Sequence, residues 1–567
     1  MRRHWTVQNI VSVGVTLFCV ALVFYPLIFL GQASFNTGDP RDRPPKTYGL
    51  DNYGEIFNPE SSYLKLIWNT LQVTLMGTAM AVPFGLVLAW IVNRTTVPWR
   101  EGLERMMTLP YYVTPLVGAL AWSALASPRA GLINAGLARL LGQSEVTILD
   151  ANSPFGIAWV MALFEGTVVF VMISAAFKSM DPALEESSEV LGASKFYTVT
   201  RVTIPLVLPA ILSATFFVVA EMMASFAAAA VLGLPGRFFV ITTAIWTLVV
   251  RFPPDYPLAA TLGISLFAFM IVMMYFYGRV LRGASYVTIT GKAFRPRLIN
   301  MRRWTPVLFG VCVTYVFLGV ILPLGALLFV SLLKFPTPVP KDWAWTLQNY
   351  YDVIVRADVT RTSITNSLLL GLLTGVIGAV LMGILAWIIY RSTLPGRGWL
   401  EYVVMFPQSI PRMVFSLGML WAWLMFPVAG MYGSLWLLLL AYITVLMPLG
   451  VRAYSGVIVQ LGKDVEECAR VCGASWLHTL RTITLPLIRP GVVATFTLLF
   501  ISAVREVNAS VLLVGTNNKV IGPTIVAQWE GFGMSLTAAL ALVQSAVVFA
   551  ALIIVFKVAG KGSQPLD

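Results

Sequence analysis

Three ionisable residues stand inside otherwise apolar stretches of this chain. Glu221 lies in one stretch, and Arg505 and Glu506 lie in another. An unpaired charge at membrane depth is costly, so ionisable side chains there usually face a water-filled path or a specific partner. Carboxylates that line such a path suit a cationic solute. We therefore interpret these residues as candidates for a polar pathway through a membrane.

An internal repeat relates the two stretches. At an offset of 281 positions, Glu221 aligns with Ser502, and Glu506 aligns with Ser225. Each Glu–Ser pair is four residues apart, which on one continuous helix places both side chains on the same face. We expect the two faces to meet across an axis, with both carboxylates facing that axis.

Further residues complete this candidate pathway. We expect Arg505 to compensate the carboxylates in part and Asn508 to lie nearby, whereas Glu165 is a weaker candidate and Arg412 is expected near a membrane interface. The alternative is that Glu506 only neutralises Arg505 or caps a packed helix. The predicted pathway residues are Glu221, Ser225, Ser502, Arg505, Glu506 and Asn508.

A polar motif also occurs twice at the offset of 281. Residues 184–210 and 465–491, here called the first and second knob, each have a charged start, a glycine and a segment that ends at proline. Two short helices around a glycine form a compact protrusion, because glycine permits the sharp turn. The alternative is an ordinary solvated loop, which need not repeat so closely. The residues predicted to contact a partner are Glu186, Gly192, Ala193, Ser194, Glu467, Gly473, Ala474 and Ser475.

Composition sets the environment of these motifs. The chain has 567 residues, of which 58% are hydrophobic and 11% charged, and its mean hydropathy is +0.80. Soluble domains carry about a quarter charged residues, so we predict an all-α integral membrane protein with twelve spans. We interpret the first span as a retained helix rather than a cleaved signal. The spans are predicted near 10–30, 68–92, 106–126, 157–177, 207–232, 258–278, 306–333, 365–390, 403–426, 434–457, 491–514 and 535–556.

The distribution of basic residues predicts the orientation. The formal net charge is +13, and the segment 279–303 carries seven Lys and Arg residues without an acid. Such a run is typical of a positive-inside anchor rather than of a nucleic-acid site. We expect both termini, this segment and both knobs in the cytoplasm, with membrane lipid as a partner and no nucleic acid. The predicted outer loops are 31–66, 127–156, 233–257, 334–364 and 515–534.

The repeat extends over the whole chain. Asp51-Asn52-Tyr53 matches Gln348-Asn349-Tyr350, and Arg94 matches Arg391, both at an offset of 297. Each half has six predicted spans, so the halves are parallel repeats about an axis along the membrane normal. The predicted domains are a first half at 1–278 with its core at 67–278, a linker at 279–305, and a second half at 306–567 with its core at 364–557.

Both knobs resemble the E-A-A-x3-G loop of the permeases of binding-protein-dependent type I ABC importers. The pattern reads Glu186…Gly192…Ile204-Pro205 in one copy and Glu467…Gly473…Leu485-Pro486 in the other. The two alanines are Ser187 and Ser188 in the first copy, whereas the second has Cys468 and Ala469. This resemblance implies the type I permease fold and two copies of an ATP-binding subunit, one at each knob. It also implies a periplasmic or surface-tethered solute-binding protein and a bacterial inner membrane.

Two stretches resemble one subfamily of these permeases more specifically. AEMMASF (220–226) and VREVNASVLLVG (504–515) are similar to the corresponding helices of fused ferric-iron permeases, which carry both halves in one chain. In that subfamily an acidic residue commonly stands where Ser225 stands here. The resemblance implies ferric iron as the solute, and a thiamine, phosphonate or polyamine importer is the alternative within the class.

Other functional classes have less support in the sequence. No G-x-x-x-x-G-K-[ST] occurs, so no ATPase site is expected in this chain. It has only two histidines, His4 and His478, and no H-E-x-x-H, nucleophile elbow or Gly-rich dinucleotide signature, so no cofactor, metal site or catalytic group is expected. Cys468 and Cys472 are one helical turn apart, and we expect packing rather than metal binding. An ion-coupled secondary transporter is the alternative of a different class, but it has no ATPase for two knobs to engage. A membrane-embedded enzyme lacks candidate chemistry.

Overall fold

The structure, a computed structural model, describes residues 7–39, 45–143, 146–181, 183–282, 298–337, 339–392, 396–425, 430–459, 467–469, 471–531 and 533–561. In these residues the regular structure is helical, and β pairing is confined to isolated bridges. The first half contains α1 (Val7–Ser34), α2 (Asp51–Phe57), α3 (Ser62–Arg94), α4 (Arg100–Met107), α5 (Leu109–Tyr112), α6 (Pro115–Ala126), α7 (Leu132–Leu140), α8 (Pro154–Ser179), α9 (Ala183–Val190), α10 (Lys195–Thr198), α11 (Ile204–Ala224), α12 (Ile241–Val250) and α13 (Tyr256–Arg282). The second contains α14 (Thr305–Val316), α15 (Leu322–Ser331), α16 (Gln348–Tyr351), α17 (Asp358–Arg391), α18 (Arg397–Met405), α19 (Arg412–Met425), α20 (Leu435–Ile458), α21 (Trp476–Thr479), α22 (Leu485–Val504), α23 (Ile521–Glu530) and α24 (Met534–Lys561). Short π-helical segments interrupt these helices at Val199–Thr203, Ala229–Gly233, Phe317–Ile321, Asp352–Arg356 and Leu480–Thr484, and 3-10 turns lie at Arg302–Trp304, Pro340–Asp342 and Phe406–Ser409.

Ten helical segments in the described chain are long and apolar enough to cross a membrane, and two bent pairs raise the number to twelve. Twelve spans were expected, but the third and ninth are not continuous helices. The pair that ends in α6 bends by 89°, and the pair that ends in α19 bends by 102°. Proline explains both breaks, because it cannot donate the helical hydrogen bond. Pro115 begins α6, and the Thr114 side chain caps it by accepting from the Val117 amide at 3.1 Å.

The fifth and eleventh predicted spans end early. α11 stops at Ala224, with Ser225 in an extended conformation, and α22 stops at Val504. The expectation that each Glu–Ser pair shares one helix face is therefore wrong, because Ser225 and Glu506 lie beyond their helix ends. Local polar contacts hold these ends: Thr242 donates to the Ser225 carbonyl at 2.8 Å, and the Glu506 side chain accepts from the Ala509 amide at 3.0 Å.

Matched hydrogen bonds fix the chain after each early helix end. Asn69 of α3 donates to the Phe239 carbonyl, and Asn366 of α17 donates to the Lys519 carbonyl, both at 2.9 Å. The next residue in each helix, Thr70 or Ser367, accepts from the first amide of the following short helix at 3.0 Å and 2.8 Å, respectively. The repeat seen in the sequence is therefore also a repeat of tertiary contacts.

The first helical span of each half packs on the opposite half. α1 lies against α19, and a side chain built at Gly418 would meet the Pro26 carbonyl oxygen at 2.6 Å. α14 and α15 lie against the first half, where the Tyr315 hydroxyl donates to the Leu163 carbonyl at 2.6 Å. The domain boundaries stay a prediction, and most of the predicted linker, residues 283–297, lies outside the described residues.

Candidate functional site

A guanidinium connects the two halves at the predicted pathway. Arg412, the first residue of α19, lies 2.8 Å from the Glu506 carboxylate and 3.9 Å from the Glu221 carboxylate. Glu221 belongs to α11 of the first half, whereas Arg412 and Glu506 belong to the second. The two acidic residues therefore meet at the boundary between the halves through one shared cation.

The two carboxylates differ in their surroundings. The Glu506 side chain is 1% exposed, whereas the side chains of Glu221 and Arg412 are 34% and 38% exposed. One Glu506 oxygen bonds to Arg412, and the other accepts from the Ala509 amide. Both Glu506 oxygens are thus engaged and the side chain is buried, whereas Glu221 keeps an open side.

Arg505 does not form the pair with Glu506 that the alternative interpretation of the sequence required. Its guanidinium carbon lies 4.9 Å from the centre of the Tyr111 ring, an arrangement that favours the cation electrostatically. Its Nε is buried without a hydrogen-bond partner among the described residues, as is the Asn508 Oδ1 atom. Glu506 therefore pairs with Arg412, whereas Arg505 contacts Tyr111 and so connects the end of α22 to α5.

Glu165 of α8 completes a cluster of five charged residues. It lies within electrostatic range of Glu221, Arg412 and Arg505. We call Glu165, Glu221, Arg412, Arg505 and Glu506 the charged cluster. The cluster holds three carboxyl groups and two guanidiniums.

The hydroxyls predicted for the pathway have a smaller part in this geometry. Ser225 is half-buried at the end of α11, and the hydrogen bond there uses its carbonyl oxygen. Ser502 is half-buried in the last turn of α22. Sequence reasoning missed the central position of Arg412, which was expected at an interface. Its position after Pro411 was the available signal, since the helix bend there turns the α19 N-terminus inward.

The knobs have closely matched backbones. Gly192 and Gly473 have φ angles of +87° and +83°, in the left-handed region that favours glycine. Next to each glycine, an amide bonds back five residues, from Ala193 to Ser188 and from Ala474 to Ala469. This bond is typical of a helix that ends at a left-handed glycine. The predicted turn at each glycine is present.

The serines start the next short helix in both knobs. The Ser194 side chain accepts from the Tyr197 amide at 3.3 Å, and the Ser475 side chain accepts from the His478 amide at the same distance. Glu186 and Glu467 are exposed. These acids are free to meet a basic surface, whereas the glycine, alanine and serine residues set the shape of the knob.

The residue beside Glu186 has a different role that the pattern did not indicate. Glu185 is buried; its carboxylate lies 3.2 Å from the Arg94 guanidinium and accepts from the Thr203 hydroxyl at 2.6 Å. Two adjacent acids thus face opposite ways, one toward the membrane core and one outward. The sequence does not distinguish the buried acid from the exposed one, because both are glutamates in the same short helix.

The cysteine pair of the second knob is exposed. The expectation that Cys468 and Cys472 pack within the chain is wrong, whereas Cys19 and Cys312 are buried. An open cleft of about 740 Å³ lies beside the pair and is also lined by Gly473, Ser475 and His478. Among the described residues, no group of three or more His, Cys, Asp or Glu side chains could hold a metal ion.

Comparison with known proteins gives a family match in each half. The model of the binding-protein-dependent transport system inner membrane component matches residues 81–286 and 375–562. These ranges cover more than half of the chain, and they include both knobs and all five residues of the charged cluster.

Three individual proteins illustrate the likeness. The chain is 26% identical to a putative ferric transport system permease protein of Haemophilus influenzae, over 89% of this chain and 78% of that protein. It is 25% identical to a spermidine/putrescine transport system permease protein of Salmonella typhimurium, over 50% of this chain and 96% of that protein. In a crystal structure of a bacterial alginate ABC transporter with its pentasaccharide-bound periplasmic protein, one chain is 22% identical and aligns with a TM-score of 0.41. That alignment covers 48% of this chain and 93% of the other.

Proposed function

The chain belongs to the family of binding-protein-dependent transport system inner membrane components, and from this premise we propose that it imports ferric iron. It is a multi-pass permease of an ABC importer with the all-α fold of that family. The proposed pathway runs between the halves at the charged cluster. The proposed energy source is a pair of separate ATP-binding subunits, one at each knob.

The assignment of the solute is supported by the extent of the likeness to ferric permeases. That likeness runs through both halves, over 89% of this chain, whereas the spermidine/putrescine relative covers 50% of it. A polyamine is the second candidate, because carboxylates on a pathway suit any cation. A thiamine or phosphonate importer has no comparable support.

The contact of Arg412 with carboxylates of both halves carries the pathway proposal. Alternating access in parallel repeats requires one half to move against the other around a fixed site. Such a motion lengthens the 3.9 Å contact between Arg412 and Glu221 before it disturbs the 2.8 Å contact within the second half. Glu221 then gains an open carboxylate for the passing cation, and Arg412 returns to it when the halves close.

The coupling proposal rests on the matched knobs. Each presents an exposed glutamate, Glu186 or Glu467, beside a left-handed glycine turn of fixed shape. A carboxylate at such a place pairs with a basic surface of an ATP-binding subunit. We assign both termini and both knobs to the cytoplasm of a bacterial inner membrane. The solute-binding protein docks at the opposite face, and this chain contributes no ATPase site.

Uptake by cells that express the chain with its ATP-binding subunits and binding protein tests the solute. We expect ⁵⁵Fe³⁺ to accumulate in an ATP-dependent manner, and excess unlabelled spermidine to leave the rate unchanged. Accumulation of ¹⁴C-spermidine instead of iron would show that the solute is a polyamine. Neither outcome affects its place in the permease family.

A further inference from the structure

We propose that Arg94 is a positioning residue that carries the motion of the first knob to the membrane core and to the linker segment before the second half. The inference rests on the proposed docking of ATP-binding subunits at the knobs. It concerns two buried residues outside the charged cluster, Arg94 and Glu185, and it explains how a push on α9 reaches α3.

The Arg94 side chain fastens three elements together. It lies at the end of α3 with 1% of its surface exposed, and it bonds to Glu185 of α9 at 3.2 Å. Its guanidinium carbon lies 5.4 Å from the centre of the Phe177 ring on α8. Glu185 in turn accepts from Thr203, the residue before α11. One buried ion pair therefore connects the knob to α3, α8 and α11.

The Arg94 backbone makes a second connection. Its carbonyl oxygen accepts from the Ile299 amide at 2.8 Å, and the Ile299 carbonyl accepts from the Thr96 amide at 3.1 Å. Ile299 follows the described start of the segment that leads into α14 of the second half. Arg94 thus contacts the knob through its side chain and, through its main chain, the linker segment that leads into the second half.

The pair is not built for stability alone. Arg94 Nε and Nη2 are buried without hydrogen-bond partners among the described residues. A buried ion pair with unsatisfied donors seldom stabilises a fold better than apolar residues of similar volume would. Such a pair is directional, however, and it resists the separation of the elements that it joins.

The same three residue types recur in the second half. Arg391, Glu466 and Thr484 match Arg94, Glu185 and Thr203 at the offsets of 297, 281 and 281. Arg391 donates to the Ile458 carbonyl at 2.7 Å, and Ile458 is the match of Phe177. Glu466 lies outside the described residues, so the second connection is inferred from the repeat.

Coupling in proteoliposomes tests the inference. The complex of the chain with its ATP-binding subunits is supplied with binding protein loaded with ⁵⁵Fe³⁺, and uptake is divided by ATP hydrolysed. We expect Arg94→Met and Glu185→Gln each to lower this ratio at least about fivefold, with the ATP-binding subunits still bound. Arg100→Met is the matched control, because Arg100 also bonds the end of α3, at the Val92 carbonyl, without contact to the knob.

The double variant R94M/E185M separates transmission from stability. It replaces the pair with apolar side chains and is expected to regain the thermal stability of the wild type while its uptake per ATP stays low. Recovery of both, or a normal ratio in the folded single variants, would overturn the inference. If R94M or E185Q keeps the knob structure of the wild type but loses the ATP-binding subunits, the result would instead contradict the proposed docking at the knobs.

A distance measurement keeps the inference testable whatever the solute. Spin labels at Leu191→Cys on the knob and Asn300→Cys in the linker, next to Ile299, are compared in the full chain, with Cys468 and Cys472 replaced by serine. We expect one narrow distance distribution in the otherwise wild-type chain and the loss of that narrow distribution in R94M. An unchanged distribution in R94M would contradict the connection.

Discussion

The Arg412 guanidinium reaches across the boundary between the two halves to within 3.9 Å of the Glu221 carboxylate. Its contact with Glu506, within its own half, is 2.8 Å long. The same cation is therefore held firmly on one side and loosely on the other. A relative motion of the halves releases the looser contact first, which makes Glu221 the acid that changes its environment.

Arg412→Gln is expected to destabilise the protein. It leaves the Glu506 carboxylate, 1% exposed, without its cation. Breaking a fully buried pair costs roughly 3–5 kcal/mol, and we expect about 2 kcal/mol here because Arg412 is partly exposed. Denaturant unfolding in detergent measures the loss, and R412Q/E506Q should recover most of it. A single variant as stable as the wild type would show that Glu506 needs no cation.

Glu221→Gln is expected to reduce transport without unfolding the chain. Its side chain is 34% exposed, so the neutral amide leaves no buried charge unpaired. Uptake of ⁵⁵Fe³⁺ should fall at least about tenfold, while the affinity for the binding protein stays the same. Ser502→Ala, at the matched position of the other half, is the comparison variant. Normal uptake by E221Q would remove Glu221 from the pathway.

Replacement of the knob glycines should depend on backbone preference rather than on size. A Cβ atom at Gly192 or Gly473 would meet nothing within 4 Å, but both glycines have positive φ angles. A left-handed conformation costs most residues about 1–2 kcal/mol, and asparagine tolerates it better. Gly192→Val should therefore lose ATP-stimulated uptake, and Gly192→Asn should keep most of it. Equal activities would argue against a turn requirement.

The exposed knob acids should govern attachment of the ATP-binding subunits. We expect Glu186→Ala and Glu467→Ala together to weaken their association at least about tenfold in a pull-down titration, with an unchanged melting temperature. The two single variants need not be equal, because the knobs differ in sequence. Glu101→Ala is the control, since this glutamate of α4 is exposed outside the knob. Wild-type association in the double variant would leave the knobs without this role.

The native thiols report the orientation. Cys468 and Cys472 are exposed on the second knob, and Cys19 and Cys312 are buried. A membrane-impermeant maleimide should leave intact cells unlabelled and react with inside-out vesicles. In a chain whose Cys468 and Cys472 are replaced by serine, the exposed Lys341→Cys should show the opposite behaviour. Labelling of Cys468 or Cys472 from outside would overturn the topology, and the docking of the ATP-binding subunits with it.

The features that the sequence predicted well depend on local rules. The number of spans follows from hydropathy, and the left-handed turns at Gly192 and Gly473 follow from what glycine alone adopts readily. The bends before α6 and α19 could not be predicted from the sequence, because a proline between apolar residues is compatible with a continuous span as well as with a break.

The features that the sequence did not predict depend on distant partners. Arg412 meets a carboxylate almost two hundred positions away, and nothing in its own neighbourhood indicates that contact. The pairing of Glu185 rather than Glu186 with Arg94 likewise depends on where α3 ends. Repeat analysis found the equivalent positions, but it could not identify partners that differ between the halves.

The packing of α1 on α19 has a consequence for biosynthesis. Gly418 follows Pro26 by 392 positions, and at about 5–20 residues per second the ribosome needs roughly 20–80 s to make that length. During this time one side of the first inserted helix has no protein surface to cover it. The first half therefore gains this contact only late in synthesis, and we expect a chain truncated before α19 to be degraded faster than the full chain.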